Sequence, residues 1–168
     1  PQLADAEAVF ARLSRRQGVV YSALGPNASG LERALAAGVD KIAVFTAASE
    51  TFARRNINTS IAGSLERFRP VVDGALRAGL PVRGYVSTAF WCAFEGTVAP
   101  PAVAAGVDRL VDLGVDEVAV SDTVGRACPE DVQRLLEVLL PRLDPGGIAM
   151  HFHDTCGRGV ANVEAAWS

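Results

Sequence analysis

Three times along the chain an amphipathic stretch closes on a glycine and a short apolar run follows: LERALAAGVDKIAVF, VVDGALRAGLPVRGYVS and VDRLVDLGVDEVAVSD. The first part of each unit repeats its apolar positions at helical spacing, and the second is almost unbroken, as in strands buried on both faces. Gly38, Gly79 and Gly114 stand where a left-handed residue ends a helix. Carried along the chain, the pattern predicts five strands, at about 19–24, 41–46, 82–88, 117–122 and 147–153, separated by helices. Pro101 and Pro129 suit first-turn positions, and Asn27 and Ser60 suit N-caps. Pro70 either kinks a helix over about 60–78 or marks its start.

Helix-to-strand alternation means a parallel α/β fold. Two architectures take five parallel strands: an open flavodoxin-like sheet, or part of a (β/α)8 barrel. A whole barrel needs about 250 residues, so 168 residues favour the open sheet by length. Polar residues gather just after the apolar runs: Asn27, then Ser49 and Glu50, then Ser87, Asp122, and the pair His151 and His153. In both architectures that edge carries the chemistry. No Gly-rich dinucleotide loop follows the first strand, which removes a common reason for an open sheet.

Composition narrows the partners. With 49% hydrophobic and 21% charged residues the chain reads as an ordinary folded domain. A net charge of −3 with no Lys/Arg run argues against a nucleic-acid or anionic-membrane surface. No apolar run approaches a membrane span, and PQLADAEAVF lacks a signal-peptide pattern. Cys92, Cys128 and Cys156, odd in number and widely spaced, fit neither a disulfide framework nor structural zinc. A soluble protein of a reducing, cytoplasmic compartment is expected. Starting without Met and stopping in EAAWS, within a helical pattern, the chain reads as a fragment.

The stretch MHFHDTCG holds the only two histidines. In an extended strand residues i and i+2 leave the backbone on one side, and two neutral imidazoles aimed at one point suit a divalent metal. Two polar residues at a strand end are the plainer alternative.

Four segments, FTAASETFARRNINTSI, VRGYVSTAFWCAFEG, VSDTVGRACP and MHFHDTCGRGVAN, together resemble the 3-hydroxy-3-methylglutaryl-CoA lyases, a branch of the metal-dependent lyase and Claisen-synthase barrels. Sibling synthases share the SDTVG and H-x-H-D style segments but not the ASE-x-F-x-x-x-NIN-x-S run. The resemblance implies a (β/α)8 TIM barrel of which residues 1–168 carry strands three to seven, with strands one, two and eight absent. It implies that His151 and His153 bind Mg2+ or Mn2+. It makes Asp122 a catalytic-site residue that accepts a proton or orients a ligand, against the alternative of a helix cap. Asn56 and Ser60 fall in a loop near an acyl-CoA substrate, with Arg54 and Arg55 either attracting its phosphates or simply solvated.

The family's metal-binding aspartate, its arginine, its reactive cysteine and the asparagine of its metal shell have no counterpart here. Cys92 and Cys156 are rejected as nucleophiles, since no further histidine is left to serve as their base. Phe152, between the histidines, points to the opposite face and concerns packing. Arg83 is expected to pair with a barrel carboxylate, and Glu95 to be structural. The implied activity is retro-Claisen cleavage of 3-hydroxy-3-methylglutaryl-CoA to acetyl-CoA and acetoacetate, by a homodimer. Alternatives are a Claisen-condensing synthase, an inactive truncated fragment and an open α/β metal-binding protein.

Overall fold

A computed structural model describes residues 5–168. In chain order the elements are α1 (Ala6–Arg12), β1 (Ser22–Leu24), α2 (Ala28–Ala36), β2 (Lys41–Ala47), α3 (Glu50–Ile57), α4 (Ile61–Arg77), β3 (Val82–Ser87), β4 (Trp91–Cys92), β5 (Gly96–Thr97), α5 (Pro100–Leu113), β6 (Glu117–Asp122), α6 (Pro129–Leu139), a 3₁₀ turn (Pro145–Gly147), β7 (Ile148–Phe152) and α7 (Gly159–Trp167). The main sheet has five strands in the order β1-β2-β3-β6-β7, and every neighbouring pair is parallel.

That order decides between the two architectures. A doubly wound sheet reverses direction at a switch point and so carries helices on both faces. Here the order is strictly sequential, and right-handed crossovers then put every helix on the same face. This is the wall of a barrel. Strand residues Ile42, Val44, Val82, Val86, Val118 and Val120, all at most 1% exposed, pack with Phe68, Val71, Val103, Leu110, Val132 and Leu135 of the helices. The opposite face carries Lys41, Arg83 and Glu117, an alternation set by the two-residue strand period.

The helix punctuation follows the chemistry of its residues. Gly38, Gly79 and Gly114 adopt φ of 67°, 73° and 95° at the helix ends. Asn27 caps α2 by accepting from the Gly30 N–H, and Ser60 caps α4 by accepting from the Gly63 N–H. Pro101 and Pro129 lie in the first turns of α5 and α6. Pro70 neither starts nor ends a helix: α4 runs through it, with the ring exposed and one backbone bond forgone.

Two elements depart from expectation. Residues 50–57 are helical, so Asn56 belongs to the last turn of α3 and is not in a loop; Asn58, at φ 51°, ends that helix. The FWCAFEG stretch makes a small antiparallel hairpin of β4 and β5. Arg55 sits over the Phe94 ring at 4.4 Å on one side of it, and Arg126 over Trp91 at 4.2 Å on the other. The hairpin is thus held to α3 on one side and to the loop before α6 on the other.

Candidate metal centre at the carboxyl rim

β7 carries His151 to the carboxyl end of the sheet, and His153 follows just beyond it. Both side chains are exposed. Their rings stand edge to face with centroids 5.0 Å apart, so the shared face expected of an i, i+2 pair is realised. His153 Nδ1 lies 2.8 Å from the Thr123 carbonyl. A carbonyl only accepts, so Nδ1 carries the proton and Nε2 keeps its lone pair free. This is the usual arrangement of a ligating histidine. Two adjacent imidazoles, one with its tautomer fixed, fit two positions of a divalent ion's shell. Among the described residues no third His, Cys, Asp or Glu converges with them.

Asp122 ends β6 on the same rim but the other face. In register Ser121 pairs with His151 and Asp122 with Phe152, and registered residues of parallel strands point the same way. The Asp122 side chain is 0% exposed. One carboxylate oxygen accepts from the Gly125 and Arg126 N–H groups, at 3.0 and 3.2 Å, and the other from Ala127 N–H at 3.0 Å. The carboxylate shapes the 123–127 loop that leads into α6. It reaches the histidines only through that loop.

Asn56 and Ser60 lie on the far side of the rim. A shallow groove of about 480 Å³ is bounded there by Arg54, Asn58, Thr59 and Ser60. Ser60 spends its side-chain oxygen on the α4 cap, Asn56 is exposed, and Arg54 pairs loosely with Glu50 at 3.7 Å. Nearby, Glu95 accepts from the Thr51 N–H at 2.7 Å. Hydrogen bonds from Thr51 hold its carboxyl below the usual carboxylate range. Glu95 therefore ties the hairpin to α3, as expected of a structural residue.

Cys92 and Cys128 are engaged structurally. Cys92 is buried with its sulfur 3.0 Å from the Ser49 hydroxyl. Cys128 caps α6 and donates to Asp131. Hydrogen bonding to Glu130, then burial and Asp131, pushes its thiol up.

Sequence reasoning passed over Thr123 and Asn162. Asn162 left a signal: an amide inside the apolar helical run GVANVEAAW, where burial demands a partner. Thr123 left none, because its contribution is a backbone carbonyl.

The HMGL-like family profile matches residues 2–168. The chain belongs to the HMGL-like family. A hydroxymethylglutaryl-CoA lyase of Pseudomonas mevalonii is 47% identical over 166 residues, 99% of this chain and 55% of the relative. The crystal structure of the HMG-CoA lyase from Brucella melitensis superposes with a TM-score of 0.97 at 45% identity, covering 99% of this chain and 59% of that one. An Acinetobacter baumannii HMG-CoA lyase, in complex with coenzyme A and 3-methylmalate, gives 0.93 at 32% identity over 99% and 54%. The chain spans a little over half the length of these relatives. These likenesses confirm the barrel wall and set the open-sheet alternative aside.

Proposed function

We propose that the protein is a divalent-metal-dependent carbon–carbon lyase that cleaves 3-hydroxy-3-methylglutaryl-CoA or a close analogue to acetyl-CoA and acetoacetate. The observation that carries this is the exposed imidazole pair, with His153 Nε2 left free by the Thr123 carbonyl, in a chain of the HMGL-like family. His151 and His153 would hold Mg2+ or Mn2+. When bound, such an ion acts as a Lewis acid toward a substrate hydroxyl or carbonyl.

The chain's own residues then have distinct tasks. His151 and His153 present nitrogen ligands on the barrel-interior face, while Asp122 keeps the 123–127 loop in place. With both oxygens engaged by N–H groups, Asp122 orients the site and leaves proton transfer to another group. Ser60 and Arg54 border the groove in which the acyl-CoA lies, with Asn56 exposed on the adjoining last turn of α3. In the reaction the tertiary hydroxyl loses its proton, the bond to the thioester-bearing carbon breaks, and the acetyl-CoA enolate takes up a proton.

Flanking chain supplies barrel strands one, two and eight. Supporting this, β1 and β7 each have one unpaired edge, and α7 exposes Val160, Val163 and Trp167, the last 92% exposed. The assembly is a homodimer, a matter for light scattering. A reducing, cytoplasmic setting suits the three free cysteines.

The deciding experiment incubates the full-length protein and Mn2+ with 3-hydroxy-3-methylglutaryl-CoA, following acetyl-CoA and acetoacetate. A parallel incubation supplies acetyl-CoA with 2-oxo acids. Condensation in the second without cleavage in the first would make it a synthase. Activity in neither, with Mn2+ bound, would remove the lyase reading.

A further inference from the structure

We propose that Asp122, Gly125 and Asn162 form a brace that presses the Thr123 carbonyl against His153 Nδ1 and so commits His153 to present Nε2 outward. The proposal rests on the metal-site reading above and assigns positioning residues to it.

The loop 123–127 is held at each end and along its length. At its start, the Thr123 hydroxyl oxygen accepts from the Thr88 N–H at 2.8 Å, which pins the residue from the β3 side. Thr88 is itself at φ 56°, an uncommon conformation for a β-branched residue and one that a surrounding structure must enforce. Along the loop, the Asp122 carboxylate gathers three N–H groups. At its end, the Ala127 carbonyl accepts from Asn162 Nδ2 at 3.0 Å. That bond crosses from the loop before α6 to the first turns of α7, the helix that follows the histidines.

Gly125 closes the other contact. Its φ is +74°, and a Cβ there would stand 2.7 Å from Thr155 Oγ1 and 2.9 Å from the Thr155 backbone nitrogen. The loop therefore lies flush against the residues just after His153, at a distance only glycine permits.

Asn162 is the informative member. Its side chain is 0% exposed, yet its Oδ1 is the one buried side-chain oxygen or nitrogen without a partner among the described residues. Burying an amide for a single hydrogen bond while orphaning its oxygen is a poor stabilising device. It makes sense where the one bond fixes the position of something else. Here that is the loop carrying the Thr123 carbonyl, 2.8 Å from the ring whose tautomer it sets.

The test is imidazole nitrogen-15 NMR of the full-length, metal-free protein at about pH 8.5, followed by titration with Mn2+. In the unaltered protein His153 should report the Nδ1–H tautomer. Asn162→Ala and Gly125→Ala should each give a mixture of tautomers and weaken Mn2+ binding about 10–100-fold. Leu110→Ala, in the core beneath β3 and away from both loops, destabilises without touching the brace and should leave tautomer and affinity unchanged. If Asn162→Ala does not fold, Asn162→Ser, which shortens the reach to Ala127, takes its place. Unaltered tautomer and affinity in the folded brace variants would overturn the proposal, as would an equal loss in Leu110→Ala. If instead the tautomer mixes as expected but His151→Ala and His153→Ala bind Mn2+ like the unaltered protein, the brace stands and the metal site falls.

Discussion

The interior face of the sheet carries polar groups at both ends, and the two ends treat them differently. At the amino end, Arg83 grips Glu117 through two parallel hydrogen bonds of 2.8 and 2.6 Å, Lys41 adds a third at 3.1 Å, and Tyr85 accepts from Arg83 at 3.3 Å. Hydrogen bonding to Arg83 holds Glu117 below the usual carboxylate range, and hydrogen bonding to Glu117 raises Arg83 beyond its ordinary value. The carboxylate has its acceptors taken. At the carboxyl end, His151 and His153 are exposed and His153 keeps an unengaged nitrogen. Ionisable groups that satisfy one another build structure, and those left unsatisfied in a fixed direction are available for chemistry.

The largest effect should come from the carboxyl end. In the full-length protein, His151→Ala or His153→Ala should lower Mn2+ affinity and turnover on the order of 10³-fold or more, since even a supporting group costs about 10–100-fold. Isothermal titration with Mn2+ and turnover at saturating metal would check this. Retained binding in both variants would erase the contrast between the two ends.

Arg83→Met tests the other side of the contrast. It should cost about 1–3 kcal/mol in urea unfolding, the pair being partly screened by solvent, while leaving Mn2+ affinity unchanged. The pH dependence follows from the same pair. Glu117 titrates lower when folded than when unfolded, so the stabilisation is complete above about pH 5 and fades as pH falls through the folded value. Glu117→Gln should flatten that acid-side loss.

Phe152→Ala sharpens the comparison within a single strand. The ring is half-buried and stands 6.2 Å from that of Phe90. The expected cost is about 1–2 kcal/mol, below the roughly 3–5 of a fully buried ring. Metal affinity should change far less than in its histidine neighbours. The smallest effect is expected at Ser60→Ala, about 1 kcal/mol from the lost α4 cap. A rise in KM for the acyl-CoA with little change in kcat would add a substrate contact to the capping duty.

Much of the fold was legible because its grammar is local. Apolar runs and terminating glycines located all five strands of the main sheet. β1 begins at Ser22 and not near 19 because its parallel partner β2 starts opposite it, at Lys41. The β4–β5 hairpin escaped notice because two-residue strands have no periodicity to detect. RRNINTS read as loop because Asn and Ser punctuate turns so often, yet the helix ends only at Asn58.

What the sequence by itself determined is therefore the alternation of elements, the edge on which the polar residues gather, and the common side of His151 and His153. These depend on spacing along one strand or one turn. Only the tertiary structure decided that strand order is sequential and the helices one-sided, since that depends on how separate units dock. It alone turned Asp122 to the opposite face and closed its carboxylate with N–H groups up to five residues on. It alone brought the Thr123 carbonyl to His153, thirty residues away. A carbonyl is present at every residue, so no sequence pattern marks the one that folding will aim at an imidazole.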